Sequence, residues 1–421
     1  MEQNSYVTAI DIGTTKIATV IGSVTSRGRI LVEEQQCTFS RGVSRGLVVN
    51  VEDTADSIRD CLDKLYEKRS VRPDRVVVGI AGRHISSRQS SAKRIRKKPG
   101  TLITESEVND LKQDMYNIAL PAGQKILHVI PQEYVVDGMP VAKAVGCPGN
   151  ELVGNFYIVV SDANAVENIK MSIERCGLTM DSLMLEPIAS ANAVLTGAEK
   201  EAGTVLLDIG GGTSDMLIYY KNIVRSTVVI ASGGQVITSD IRDACKISLQ
   251  MAERLKCQYG ACFSEYCSGD IIIPYYRDTA ARDQGVISQK LLAEIIDERM
   301  EQLIDAVKYT IAESGYEREI SSIVLTGGGA QLRHLPQLFK LRTGLDVRVG
   351  YPIVQIDNKD YTLKPTMATS VGLMMNGYQS RSSKAATNKL LEKIPIIGKA
   401  FGGCKELLAD IFDEKNDPHL M

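Results

Sequence analysis

The feature that most constrains this chain is a short strand-turn-strand unit that occurs twice. Its first copy reads Asp11-Ile-Gly-Thr-Thr and its second reads Asp208-Ile-Gly-Gly-Gly-Thr. In each copy an aspartate ends an apolar run of β-strand type, and a glycine turn joins it to a second such run. These turns can present backbone N–H groups to phosphate oxygens, because their side chains are absent or small. One Asp-Gly turn is ordinary hairpin chemistry, but two copies predict an internally duplicated α/β fold that binds a nucleotide.

The two turns contain most of the candidate nucleotide-binding residues. Asp11 and Asp208 are predicted to hold Mg²⁺ through its water shell and so to neutralise phosphate charge. They are also the candidate catalytic groups, which would orient water, with Glu186 as a third. The other phosphate candidates are the glycines, hydroxyls and lysine of the turns: Gly13, Thr14, Thr15, Lys16, Gly210, Gly211, Gly212 and Thr213.

Later segments extend the predicted nucleotide site. They are two further glycine turns and a charged pair: Gly233, Gly234, Glu253, Lys256, Gly327, Gly328 and Gly329. The last turn joins a buried strand to a helix, where backbone can approach a nucleoside closely. Glu253 and Lys256 lie one helical turn apart, a spacing that suits a nucleotide contact and equally suits a surface salt bridge.

Charge, hydropathy and cysteine content narrow the class of protein. Lys and Arg number 49 against 51 Asp and Glu, so a net charge of −2 predicts no nucleic-acid partner. A secretory signal and an apolar run of roughly 18 residues are both missing from the sequence, and we therefore expect a cytoplasmic protein. The 9 cysteines suit reduced thiols. Among them, Cys257, Cys262 and Cys267 match no common zinc pattern.

The chain between the two turns contains a stretch of different character, which predicts an inserted α+β module at residues 84–162. Its basic run, residues 93–98, could contact acidic lipid or a partner, although a solvated edge strand is the simpler interpretation. The remaining predicted parts are a first half at 1–83, a second half at 163–234 completed at 315–378, a small helical subdomain at 235–314, a linker at 379–398 and a tail at 399–421.

The tail is predicted to be an amphipathic helix. Its apolar face would carry Phe401, Leu408, Ile411 and Phe412, and a face of this kind after a linker suits binding at a lipid interface. The tail ends acidic and contains two helix-weakening glycines. Docking of the same residues back onto the protein is therefore the alternative.

In order and spacing, these segments resemble the superfamily of actin, DnaK-type chaperones and sugar kinases. Within it the chain resembles the bacterial FtsA family of cell-division proteins, through Gly79-Ile-Ala-Gly-Arg-His-Ile, Ile130-Pro-Gln-Glu-Tyr and Ala252-Glu-Arg-Leu-Lys. The insert also stands where that family has a module in place of actin's usual subdomain. The resemblance implies duplicated actin-like, ribonuclease-H-like domains around a nucleotide cleft, with an inserted small α+β module.

The resemblance also implies a function. A protein of this family would bind ATP with Mg²⁺, polymerise with itself, and tether the tubulin-like FtsZ ring to the cytoplasmic side of the cell membrane at the division septum. The FtsZ C-terminal tail would bind the small helical subdomain near Lys290 and Arg299. Lipid would bind the C-terminal helix, and other division proteins would bind the inserted module. We expect weak ATPase activity at most.

Other members of the superfamily remain as alternatives. A pilus-assembly ATP-binding adaptor resembles FtsA closely and also lies beneath the membrane. A metabolite kinase shares the ATP motifs, but it needs a second-substrate cleft with a catalytic base that the sequence does not reveal. A DnaK-type chaperone fits poorly, because the 44 residues after Gly377 are too few for a substrate domain.

Overall fold

A computed structural model describes residues 6–25, 29–68, 72–276, 284–356 and 363–392. Its strands are β1 (Tyr6–Ile12), β2 (Lys16–Val24), β3 (Ile30–Phe39), β4 (Val43–Ser44), β5 (Leu47–Val48), β6 (Arg75–Ile80), β7 (Ile85–Ile95), β8 (Gln124–Val136), β9 (Met139–Val141), β10 (Glu151–Asp162), β11 (Thr179–Leu185), β12 (Thr204–Ile209), β13 (Ser214–Tyr220), β14 (Ile223–Ile230), β15 (Ile272–Tyr276), β16 (Gln284–Ser288), β17 (Ser322–Thr326), β18 (Asp346–Val349) and β19 (Gln355–Ile356). Its helices are α1 (Val51–Lys68), α2 (Glu105–Tyr116), α3 (Ala163–Arg175), α4 (Glu186–Val194), α5 (Gly197–Ala202), α6 (Gly234–Cys245), α7 (Leu249–Tyr259), α8 (Gln289–Glu313), α9 (Leu335–Thr343) and α10 (Ala368–Glu392).

Two large sheets share one topology, which confirms the predicted duplication. The first has the order β11-β6-β1-β2-β3-β19 and the second β14-β13-β12-β17-β18. In each, three successive antiparallel strands carry the aspartate-glycine turn, and two strands run parallel to the first of them. The first sheet differs by the short β19 beside β3. The two turns therefore occupy equivalent places in the two sheets.

Three layers of helices bury the faces of these sheets. Helices α1 and α3 cover the outer face of the first sheet, and α6, α7, α8 and α9 cover the outer face of the second. Between the sheets lie α4 and α10, which share one core with both. Strands covered on both faces are mostly apolar, and β6 and β12 each contain a continuous apolar run, Val76–Ile80 and Val205–Leu207. The two turns are thereby held at the ends of rigid, fully packed strands.

The inserted α+β module is a separate four-stranded sheet in the order β7-β10-β8-β9, with α2 on one face and its own core. Helix α2 begins with a capping box, in which Thr104 and Glu107 satisfy each other's backbone N–H groups. The predicted fold class, duplicated actin-like halves with this inserted module, is confirmed.

The basic run of the module begins on β7, which is an edge strand of its sheet. Its lysines, Lys93, Lys97 and Lys98, are exposed as a solvated edge predicts, but its two arginines are paired. Arg96 has a side chain only 2% exposed and pairs with Glu107, whose carboxylate lies 2.8 Å from Nε. Its other nitrogens donate to backbone carbonyls, including that of Gly149 at 2.6 Å. Arg94 pairs with Asp110 and Asp114 of α2. The acidic partners of both arginines come from α2, which packs against the module's sheet. The spacing of residues in the sequence does not reveal this packing.

The segment interpreted as a linker from residue 379 is helical as far as Glu392, because α10 continues through it. Tyr378 and Arg381 attach this helix to the first sheet. The Tyr378 hydroxyl accepts from Val7 N at 3.1 Å, and Arg381 Nη1 donates to Tyr6 O at 2.7 Å. The tail at 399–421, with Phe401, Leu408, Ile411 and Phe412, lies outside the described residues. No helix within the described ranges is long and apolar enough to cross a membrane.

Candidate functional site

The two aspartate-glycine turns are closed by the same hydrogen bond. Gly13 N donates to Lys16 O at 3.0 Å, and Gly210 N donates to Thr213 O at 2.9 Å. A four-residue turn closed in this way keeps its middle N–H groups out of the strand ladder, where they are available to an anion. The duplication seen in sequence is therefore also a duplication of anion-binding geometry.

The turns face each other across a narrow cleft of about 70 Å³ between the two halves. A methyl group added to Gly211 would stand 2.3 Å from Thr15 Cγ2, and one added to Gly212 would stand 2.8 Å from Thr14 Oγ1. Both separations are below van der Waals contact, so glycine is required at these positions for the halves to approach this closely. Because both positions are glycine, no side chain from them occupies the space between the two turns.

The cleft also collects carboxylates. Asp11 lies 3.8 Å from Lys16 Nζ. Asp208 accepts hydrogen bonds from Ser190 Oγ at 2.7 Å and Thr369 Oγ1 at 3.2 Å. Burial is the main cause that raises the pKa of Asp11 and of Asp208 above the ordinary value of an aspartate. Burial and the neighbouring aspartates raise the pKa of Glu186 well above its ordinary value. A cationic group entering the cleft would be stabilised here.

One further carboxylate, Asp215, was not among the residues predicted from sequence. It stands directly opposite Asp208 in the register of β12 and β13, is 7% exposed, and one of its oxygens, Oδ1, has no hydrogen-bond partner. Burial, Asp208 and Asp11 raise the pKa of Asp215 to about 8. The signal was present in the sequence, since strand pairing across a four-residue turn places residue 215 opposite residue 208.

The glycine turn at 327–329 follows β17 and lies at the same end of the second sheet as the turn after Asp208. Gly327 has φ of +83°, and a Cβ there would stand 2.3 Å from Asp208 Oδ1. A Cβ on Gly329 would stand 2.3 Å from Ile209 Cγ2, whereas Gly328 is open except for a Thr366 methyl at 3.9 Å. Of the three, Gly327 and Gly328 line the cleft. Gly328 is therefore the position at which a ligand can approach backbone.

The remaining predicted contacts form a small network beside the cleft. Lys256 Nζ donates to Gly234 O at 2.9 Å, to Thr238 Oγ1 at 2.8 Å and to Glu253 at 2.7 Å. Gly233 packs against the second aspartate-glycine turn, where a Cβ would meet Gly211 O at 2.7 Å. The pair Glu253 and Lys256 thus ties α6 to α7 next to the turn and is more than a surface salt bridge.

The residues predicted for partner and metal binding are placed as follows. Arg299 is paired with Asp240 of α6, with Nη2 at 3.0 Å from Oδ1. Lys290 is exposed at the start of α8. Over the described ranges, no group of three or more His, Cys, Asp or Glu side chains is arranged to ligate a metal directly, and this includes the Cys257, Cys262 and Cys267 region.

Two sheets of one topology, joined by two helices and carrying facing aspartate-glycine turns, define an actin-like fold with a cleft between its two halves. Solved structures agree. The chain covers 98% of a chain in a PilM–PilN type IV pilus biogenesis complex (TM-score 0.65, 16% identity, 88% of this chain). It also covers 100% of MreB5 of Spiroplasma citri bound to ADP (TM-score 0.51, 13% identity, 93% of this chain). At these identities the likeness shows the fold alone.

Sequence comparison identifies the family. The model described as "Cell division protein FtsA" matches residues 205–372, and the "SHS2 domain inserted in FTSA" matches residues 82–160. The chain is 34% identical to the cell division protein FtsA of Pseudomonas aeruginosa over 91% of each chain. It is 33% identical to that of Neisseria meningitidis serogroup B, over 89% of this chain and 90% of the relative. The chain belongs to the FtsA family of cell-division proteins, which confirms the resemblance.

Proposed function

We propose that the chain binds ATP with Mg²⁺ in the cleft, assembles with copies of itself, and links FtsZ to the cytoplasmic side of the membrane at the division septum. Nucleotide binding is proposed because the two glycine turns face each other. They are closed by the same hydrogen bond, and an added side chain at Gly211 or Gly212 would clash with the opposite turn. Such a pair can hold a chain of phosphates from both sides.

The residues fit a magnesium ion held through water. Asp11, Glu186, Asp208 and Asp215 line the cleft together with one cationic side chain, Lys16. The unpartnered Oδ1 of Asp215 is a buried acceptor that needs a donor or a cation. Because no described group of three ligands is set for direct coordination, Asp11 and Asp208 would hold Mg²⁺ through its water shell. The ion would neutralise phosphate charge.

The same geometry argues for slow turnover. The cleft of about 70 Å³ is smaller than the roughly 300 Å³ or more of an ordinary ligand pocket, so we expect the turns to separate when a nucleotide enters. Glu186, with its pKa raised well above the ordinary value, keeps its proton more readily than a general base should. Asp11, Asp208 and Glu186 would position water and ion, which supports weak ATPase activity at most.

Nucleotide binding is tested by titrating the full chain with fluorescent ADP and ATP in Mg²⁺. Gly211→Val places methyl groups against Thr15 and should weaken both nucleotides at least tenfold. The matched control is Gly197→Ala, where an added Cβ meets nothing within 4 Å, and it should bind like the wild type. Absence of binding by the wild type at millimolar nucleotide would reject the proposal.

The membrane part is tested by co-sedimentation with phosphatidylglycerol-containing vesicles. The full chain should pellet with vesicles, and a chain that ends at residue 398 should stay in solution, because Phe401, Leu408, Ile411 and Phe412 would be absent. Self-assembly with ATP should strengthen pelleting, since neighbouring tails then bind at high effective concentration. Equal pelleting of the two chains would reject the tail as the anchor.

The FtsZ part concerns the small helical subdomain. Lys290 and Leu291 are exposed in the first turn of α8, and Val286, four residues before Lys290 in β16, is exposed as well. A cation next to apolar side chains suits a peptide that carries carboxylates and apolar residues. Lys290→Glu should weaken binding of the FtsZ C-terminal peptide, measured by fluorescence anisotropy. Because Arg299 is already paired with Asp240, Arg299→Ala should act mainly through the α6–α8 packing.

The pilus-assembly adaptor shares the fold at a TM-score of 0.65, but the family match in sequence favours the cell-division role. Binding of a pilus-assembly peptide, without binding of the FtsZ peptide, would favour the adaptor. We propose the inserted module as the surface for other division proteins, because it has its own core and stands apart from the cleft.

A further inference from the structure

The tip of the β4–β5 hairpin is an unusual turn. Its two central residues, Arg45 and Gly46, both have positive φ, 50° and 77°. Two-residue hairpins of this kind favour Asn, Asp or Gly at the first position, because other residues are strained there. Arginine costs roughly 1 kcal/mol in the left-handed region, so backbone preference does not account for Arg45.

The tip of this hairpin lies against both aspartate-glycine turns. Gly46 lines the cleft, and its N–H donates to Thr14 Oγ1 of the first turn at 3.0 Å. On the other side, a Cβ on Gly212 of the second turn would stand 3.2 Å from Arg45 Cα. Arg45 therefore belongs to the first half of the fold, yet its backbone contacts the glycine turn of the second half.

The side chain of Arg45 is exposed, and it makes no hydrogen bond or ion pair with any residue that the structure describes. Arg41, four residues earlier, differs because its Nη2 lies 3.4 Å from Asp60. An arginine side chain reaches roughly 6 Å from its Cα and carries five N–H donors in a planar fork. From its position the guanidinium can reach a group held between Thr14 and Gly212.

The order of the contacts around the cleft indicates which group that is. The nucleoside candidates Glu253, Lys256 and Gly328 belong to the second half, and the first two adjoin its turn through Gly234. Arg45 approaches from the first half. In a nucleotide laid across both turns, the phosphate farthest from the nucleoside is therefore the one nearest Arg45.

We propose that Arg45 binds the outermost phosphate of a nucleoside triphosphate and so distinguishes the triphosphate from the diphosphate. This inference rests on the proposed nucleotide binding of the cleft. Bidentate donors suit a terminal phosphate, which offers three oxygens. Because the nucleoside would be bound by the second half and Arg45 belongs to the first, this contact also makes closure of the two halves depend on the third phosphate.

The decisive variant is Arg45→Gly, which removes the guanidinium and gives the turn a residue that accepts positive φ, so folding is preserved or improved. Affinities of wild type, Arg45→Gly, Arg45→Lys and the control Arg41→Gly are measured with ADP and with a non-hydrolysable ATP analogue in Mg²⁺. We expect Arg45→Gly to bind the ATP analogue at least tenfold more weakly and ADP within twofold of the wild type. Arg45→Lys should recover part of the loss, and Arg41→Gly should match the wild type.

Equal affinity of wild type and Arg45→Gly for the ATP analogue would overturn the inference while leaving nucleotide binding intact. An equal loss for both nucleotides would also overturn it, because it would assign Arg45 a role in hairpin structure alone. If the wild type binds neither nucleotide, the proposed function fails, and this inference fails with it.

Discussion

Replacing Asp215 with asparagine should stabilise the nucleotide-free protein at neutral and basic pH. Asp215 is 7% exposed and stands opposite Asp208, and burial with the neighbouring aspartates raises its pKa from an ordinary 3.8 to about 8. The folded state therefore binds more protons than the unfolded state between these values, and stability falls as pH rises from about 4 to about 8.

The size of the effect follows from the same shift. The folded-state pKa is about 8 and the ordinary value is 3.8, so at pH 7 the pH has passed the unfolded value by about three units, which at ~1.4 kcal/mol per unit costs at most about 4 kcal/mol. At pH 5 the cost falls to at most about 2 kcal/mol by the same conversion. An asparagine of similar shape carries no charge and removes this cost.

The assay is thermal or urea unfolding of nucleotide-free protein in EDTA at pH 5 and pH 8. Asp215→Asn should unfold at a higher midpoint than the wild type at pH 8, and the difference should shrink at pH 5. Magnesium and ATP should stabilise the wild type more than the variant, because the ion then neutralises Asp215. A suitable control is Asp243→Asn, whose exposed carboxylate has a pKa lowered by Arg242 and should give no gain. A difference that is the same at both pH values would refute the electrostatic reasoning.

Two further substitutions test the packing. Gly372→Ala puts a Cβ 1.8 Å from Ala189 O, where α10 crosses α4, and should lower the free energy of unfolding by about 1–3 kcal/mol or more; urea unfolding measures this, and a loss no larger than that of Gly197→Ala would count against the contact. Arg96→Met leaves Glu107 and three backbone carbonyls of the module without their donor and should cost about 3–5 kcal/mol. Hydrogen exchange should then rise mainly within residues 84–162, and protection that is unchanged there would contradict a structural role for Arg96.

Much of the fold could be predicted from sequence because its signals are local. The duplicated turns depend on glycine and aspartate beside apolar strands, and those properties act within about ten residues. A change in the character of the sequence predicts the inserted module at residues 84–162. The family model of the inserted domain matches residues 82–160. For the same reason the sequence alone predicts Asp11 and Asp208 as site residues.

What only the tertiary structure decided is which groups meet. Arg96 appeared to be part of a solvated basic run, and it is buried against Glu107. Arg299 appeared free for a partner, and it is paired with Asp240, 59 residues away. Charged side chains choose partners by the packing of whole elements, which no local pattern records. The sequence by itself places Asp11 and Asp208 in two separate turns. Only the packing of the two sheets on α4 and α10 brings both aspartates to one cleft.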